Sequence, residues 1–177
     1  MPPAPSSDGL SPDDDAAVAR QLGRPPRGAV RVAHRCACGE PDVVMTRPRL
    51  PDGTPFPTVY YLTCPRAAAA IGTLESSGLM REMEARLADD PALAADYRAA
   101  HEAYLREREA LEHVDEISGI SAGGMPTRVK CLHVLVGHAL AAGPGVNPLG
   151  DEALAALAPW WQAGGCAAEA VEPSGNA

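Results

Sequence analysis

Residues Ser118 to Gly143 read SGISAGGMPTRVKCLHVLVGHALAAG, and the second half of that stretch limits the fold more than any other part of the chain. Projected at about 100° per residue, Cys131, Val134, Leu135 and His138 fall on one side of a helix, and Val129, Leu132, Val136 and Leu140 on the other. A helix apolar on both sides must be covered on both sides. The spacing therefore predicts a central helix whose polar groups find partners inside the protein. Its start is expected near Pro126, a residue suited to a first helical turn, with Thr127 as an alternative cap. Backbone N–H groups at such a start, together with Thr127, Arg128 and Lys130, suit an anion such as phosphate or carboxylate.

The covering elements are legible in order. Ser11 and the acidic run Asp13 to Asp15 predict a short helix that ends near Gly23, before Pro25-Pro26. Three strands are expected at Ala29 to His34, Asp42 to Thr46 and Pro57 to Thr63, the last two joined through a Pro51-Asp52-Gly53 turn, and an antiparallel meander is the simplest pairing. Helices follow at Pro65 to Ser77, Leu79 to Ala88 and from Pro91 onward; the last carries a stripe of Leu93, Tyr97, Ala100, Tyr104 and Leu111, with its arginines and glutamates facing water. A final helix is expected at about Asp151 to Gln162. The 177 residues suffice for one core and are few for two. The expected fold is α+β: a small antiparallel three-stranded sheet packed on about five helices around a buried central helix. Residues 1–10 and 166–177 are expected to be disordered ends of a single domain at 11–165.

Charge and hydropathy exclude some functions. A formal net charge of -8 argues against nonspecific binding to nucleic acid or anionic membranes, which need basic patches. No apolar run has the length of a membrane span, and the N-terminus has neither the positive start nor the apolar stretch of a signal peptide, so the cytoplasm is the expected compartment. In that compartment five cysteines are expected as buried thiols or metal ligands rather than disulfides. The chain contains no Walker loop, Gly-x-Ser-x-Gly elbow or His-Glu-x-x-His motif.

Cys36 and Cys38 end the first expected strand in HRCACGEP, and Cys64 ends the third in YYLTCP. With Cys131 from the central helix, these four form the candidate ligand set, for zinc or an iron–sulfur cluster. On an ideal helix Cys131 and His133 point about 200° apart, and Cys131 and His138 lie roughly 10 Å apart, so neither pair easily shares an ion; the histidines are expected to support ligands rather than bind, or to be satisfied residues of the core. Cys131 without a metal is a second candidate, a nucleophilic or redox thiol beside Lys130, the only lysine of the chain, near a helix N-terminus. Arg47 and Arg49 in TRPRLPDG can converge with Arg128 and Lys130 on a small anionic ligand. Trp160-Trp161, which cannot both point inward from one helix, offer a protein contact.

The stretches HRCACGEPDVVMTRPRLPDGTPFPTVYYLTCP, AIGTLESSGLMREM and GMPTRVKCLHVLVGHALAAGPGVNPLGD together resemble the bacterial domain-of-unknown-function family 501, common in actinobacteria, over roughly Gly23 to Trp161. The matching motifs contain Cys36 and Gly39, then Pro55 to Thr58 and Thr63 to Pro65, then Lys130 to His133. The resemblance brings no catalytic residue with it. It implies a context, because actinobacterial members are often encoded near a septum-formation-initiator protein, an enolase and an exopolyphosphatase-like enzyme. Three functions are accordingly expected in order: a metal or cluster in a thiolate pocket with an adjacent anion site, a non-catalytic interaction module connected with cell division, and a phosphate- or nucleotide-handling enzyme.

Overall fold

The computed structural model describes residues 9–163 and 165–166. Among them are six α-helices and one three-stranded sheet, an α+β arrangement. Helix α1 (Pro12–Leu22) starts where Ser11 Oγ accepts the Asp14 N–H at 3.2 Å and stops at Gly23, whose φ of 68° is the left-handed conformation that closes helices. Strands β1 (Ala29–Arg35), β2 (Pro41–Thr46) and β3 (Tyr60–Leu62) pair antiparallel in chain order, with Val43 opposite Leu62 and Val44 opposite Tyr61. Every residue of β2 is buried, so the small sheet is covered on both faces. The third strand is shorter than its sequence suggests: Pro57 has no N–H to give, and the Val59 N–H is taken by the Tyr104 hydroxyl at 2.8 Å.

Helices α2 (Pro65–Glu75), α3 (Leu79–Asp89) and α4 (Pro91–Glu109) follow as the proline and cap positions predict, with Asp90 accepting N–H bonds from Ala92 and Leu93 at the head of α4. On α4, Tyr97, Ala100 and Tyr104 are buried as the stripe requires. Arg108 continues that stripe one turn on and is fully buried, against the expectation that every α4 arginine faces water. Its guanidinium donates to the carbonyls of Pro57 at 3.1 Å and Ile117 at 2.7 Å, and its stem fills the space a leucine would take.

Helix α5 (Leu132–Ala142) is the central element, in contact with all three strands, α2 and α6 (Pro148–Ala156). Gly137 lets it approach the sheet: a Cβ there would stand 3.2 Å from the Tyr60 carbonyl. Gly150 does the same between α5 and α6, where a Cβ would fall 2.3 Å from the Leu135 carbonyl. The helix begins at Leu132, six residues beyond the Pro126 start that its sequence suggests. Gly123 and Gly124 adopt φ of 70° and 96°, the Met125-Pro126 bond is cis, and Arg128 and Lys130 return their N–H groups to the carbonyls of Gly124 and Gly123. That loop packs Met125 and Val129 inward and delivers Cys131 to the helix in an extended conformation, φ -155° and ψ 110°.

The C-terminal helix also differs from expectation. It starts earlier, with Pro148 at its first position behind the Asn147 cap, and stops at Ala156, because Pro159 disfavours helical backbone just before it. Trp160–Ala163 then form a separate 3-10 turn. Trp160 is buried and Trp161 is 37% exposed, so the two rings face different environments. Cys166, assigned from sequence to the start of a disordered tail, is buried at 1% exposure. Of the expected disordered ends, Gly9 and Leu10 are also described, and residues 1–8 and 167–177 lie outside the described residues.

Candidate metal centre

The β1–β2 connection is a tight turn built around its cysteines. The Cys36 N–H donates to the Glu40 carbonyl and the Gly39 N–H to the Cys36 carbonyl, both at 2.9 Å, and Gly39 takes the φ of 91° that closes the turn. Cys64 sits between β3 and α2, at the cap position of the helix, where its backbone has left the strand and not yet entered the helix. Cys166 arrives from the far end of the chain. Its N–H donates to Cys38 Sγ at 3.4 Å, and Arg66 Nε holds the preceding carbonyl, that of Gly165, at 3.2 Å.

These approaches bring thiols together. The sulfurs of Cys36, Cys38 and Cys166 all lie within 4.8 Å of one another, close enough to hold a metal ion. Cys64 lies within hydrogen-bonding reach of Cys166, and Cys36, Cys64 and Cys166 pack in one apolar cluster with Ala67 and Trp160. Burial pushes the thiols of Cys36 and Cys166 up from the ordinary value, and for Cys166 the crowding of Cys64, Cys36 and Cys38 adds to it. Burial works the same way on Cys38, but the N–H groups of Cys166 and Glu40 and the neighbouring thiols outweigh it and hold that thiol below the usual range. All five cysteines are free thiols.

Cys131 belongs to another group. Its sulfur lies within 4.8 Å of a Glu75 carboxylate oxygen and a His133 ring nitrogen. The 200° separation expected for Cys131 and His133 holds only if both are helical, and Cys131 is the extended residue before the helix. Cys166 takes the place in the sulfur cluster expected for Cys131. No motif spacing marks it, since it stands alone, 128 residues beyond Cys38.

The anion residues are disposed differently from the expected convergence. Arg49 pairs with Glu116 at 2.8 Å and donates to the Gly53 carbonyl, Arg128 pairs with Glu84, and Thr127 and Lys130 are exposed. The start of the central helix does receive an anion, supplied by the chain itself: Glu75 Oε1 accepts the Leu132 N–H at 2.7 Å. Arg47 lies half-buried beside β2. His138 is enclosed, its Nδ1 3.2 Å from Asn147 Nδ2 and its ring between Tyr60 and Tyr104, far from any role as ligand support. His34, which sequence reasoning passed over, sets Nδ1 2.7 Å from the fully buried Asp42.

Among the described residues no helix is long and apolar enough to cross a membrane. No curated protein and no solved structure matches the chain. A family model does match, over residues 32–155, a span that contains Cys36, Cys38, Cys64, Glu75, Cys131 and His133 and stops short of Cys166. The chain therefore belongs to the family described as protein of unknown function (DUF501).

Proposed function

We propose that this protein is a zinc protein, with Cys36, Cys38 and Cys166 as thiolate ligands of one ion and Cys64, the neighbour of Cys166, drawn in as the fourth. The supporting observation is the sulfur spacing: three sulfurs gather within 4.8 Å although they come from two ends of the sequence. Tetrahedral Zn–S bonds of about 2.3 Å place neighbouring sulfurs about 3.8 Å apart, which this spacing fits. An iron–sulfur cluster distributes its thiolates over two or more irons and so sets them wider. A bound cation also answers the electrostatic problem of the cluster, since packed buried thiols become stable thiolates beside it. Four protein ligands leave no open position, so the ion serves as a structural clip. It joins the β1–β2 turn, the head of α2 and the segment after Trp160, and the Trp160 ring shields it.

The reading as a phosphate- or nucleotide-handling enzyme has less support, because Arg49 and Arg128 are already committed to Glu116 and Glu84. Metal analysis of untagged protein tests the zinc reading. One zinc per chain is expected, released when a mercurial reagent titrates the thiols, retained in Cys131→Ser and lost or weakened in Cys166→Ser. Folded protein that carries no zinc, or that carries iron with the charge-transfer colour of a cluster, overturns it.

A further inference from the structure

The Glu75, Cys131 and His133 group lies outside the sulfur cluster and opens on a different cleft. His133 Nδ1 is 3.0 Å from Glu75 Oε1, and Nε2 is 3.1 Å from the Ala68 carbonyl oxygen. Both partners are acceptors only, so both ring nitrogens carry protons and the ring is an imidazolium. A metal ion at this trio would have to displace the Nδ1 proton from its pairing with Glu75. The neighbouring Cys131 sulfur and the Glu75 carboxylate raise the His133 pKa to about 9, against the opposing effect of burial.

Cys131 and His133 line a cleft of about 560 Å³ between α1, β3, α2 and the start of α5. Its walls are largely apolar, with Leu22, Tyr61, Leu62 and Pro65. Gln21 also lines it; this residue is 9% exposed, donates Nε2 to the Pro41 carbonyl at 2.6 Å, and leaves Oε1 without a partner. That oxygen is itself buried behind the wall and is not presented to the cleft. The sulfur itself is half-buried, at the first position before a helix, beside a fixed cation. The sulfur stands within 4.8 Å of a His133 ring nitrogen, close enough to pair with the cation.

We propose that Cys131 is a nucleophilic thiolate, held as an ion pair with His133, and that it takes the acyl group of a thioester or ester whose apolar part occupies this cleft. Disulfide exchange is disfavoured, because the other four cysteines gather in the sulfur cluster and Cys131 has no second thiol to resolve a mixed disulfide. Acyl transfer needs none. The thiolate attacks the carbonyl carbon, an S–C bond forms, the bond to the departing thiol or alcohol breaks, and the leaving group takes a proton from water, since both N–H groups of His133 stay on Glu75 and the Ala68 carbonyl. The hydroxide so formed attacks the acyl-cysteine. Cys131 leaves as thiolate beside the unchanged imidazolium, and a carboxylic acid is freed.

Two measurements on zinc-loaded wild-type protein test this. The first is the rate of Cys131 alkylation by iodoacetamide from pH 6 to 8, followed by peptide mass spectrometry. An ion pair predicts a nearly flat profile, whereas an ordinary thiol rises about tenfold per pH unit below its pKa. His133→Asn is expected to restore the tenfold rise, and Glu75→Gln, which keeps an acceptor for the Leu132 N–H, to fall between. The second is incubation with the benzoyl thioester of N-acetylcysteamine, which should place one benzoyl mass on Cys131 in wild type and none in Cys131→Ser. A tenfold rise per unit in wild type overturns the ion pair, and a flat profile without acyl mass overturns the acyl substrate.

Discussion

Protonating His138 should destabilise the fold by an amount that its surroundings allow to be worked out. The residue is fully buried, stacked on Tyr60 at 5.8 Å and edge-on to Tyr104 at 5.1 Å. The Asn147 amide donates to Nδ1, so the ring is the neutral tautomer with its proton on Nε2, which has no partner. Burial pulls its pKa down to about 4, with Asp151 opposing weakly. In the unfolded chain the group takes up its proton near pH 6.5, so between those values the unfolded state binds more protons and stability falls as pH falls. The full shift is worth about 3 kcal/mol, of which about 2 kcal/mol is lost by pH 5. Urea unfolding of wild type and His138→Phe at pH 7.5 and pH 5 isolates this contribution, because the other titrating groups are common to both. Wild type should lose about 2 kcal/mol more than the variant. Equal losses would mean that His138 takes up its proton in the fold as readily as in the unfolded chain, and the argument from its neutral tautomer would fail.

His133 has the opposite sign: with its pKa raised to about 9, it stabilises the fold below pH 6.5, and that contribution disappears as pH rises through 9. The stability gap between wild type and His133→Asn should therefore narrow from pH 6.5 to 9.5. Arg108→Ala leaves the Pro57 and Ile117 carbonyls without their donor and opens a void under Tyr104, for an expected loss of about 4 kcal/mol in denaturant midpoint analysis; a loss under 1 kcal/mol would refute its role as a buried tie. Gly150→Ala forces α5 and α6 apart, because the new methyl would meet the Leu135 carbonyl and the Ala139 side chain, and about 3 kcal/mol is expected from thermal unfolding. If the sulfur cluster holds zinc as proposed, chelation should raise hydrogen exchange first in residues 157–163, which pack against α2, while the amides of α5 stay protected. Uniform deprotection would instead make the ion part of the global fold.

Local chemistry made most of the elements legible. Ser11 caps α1 and Gly23 ends it as the sequence predicts, and Asp90-Pro91 opens α4, whereas the Asn147 cap of α6 went unread. The two-sided apolar pattern of Leu132 to Ala139 required a central helix, and the helix is central. Arg108 was misread because helical position alone assigns it to the Tyr104 stripe while its charge assigns it to water, and two distant carbonyls decide between them. The late start of α5 was illegible for a related reason: the glycine pair and the cis bond before Pro126 are settled by where Met125 and Val129 can be buried.

The sequence by itself determined that thiols would matter and named three of the four in the sulfur cluster, because Cys36, Cys38 and Cys64 lie at strand ends that an antiparallel sheet brings to one rim. Only the tertiary structure decided the fourth. Cys166 has no spacing to announce it, and Cys131, which looked like the natural partner, is turned by the loop before α5 toward Glu75 and His133. Propensity and periodicity act over a few residues, whereas the position of one sulfur relative to another 128 residues away depends on how every intervening element packs.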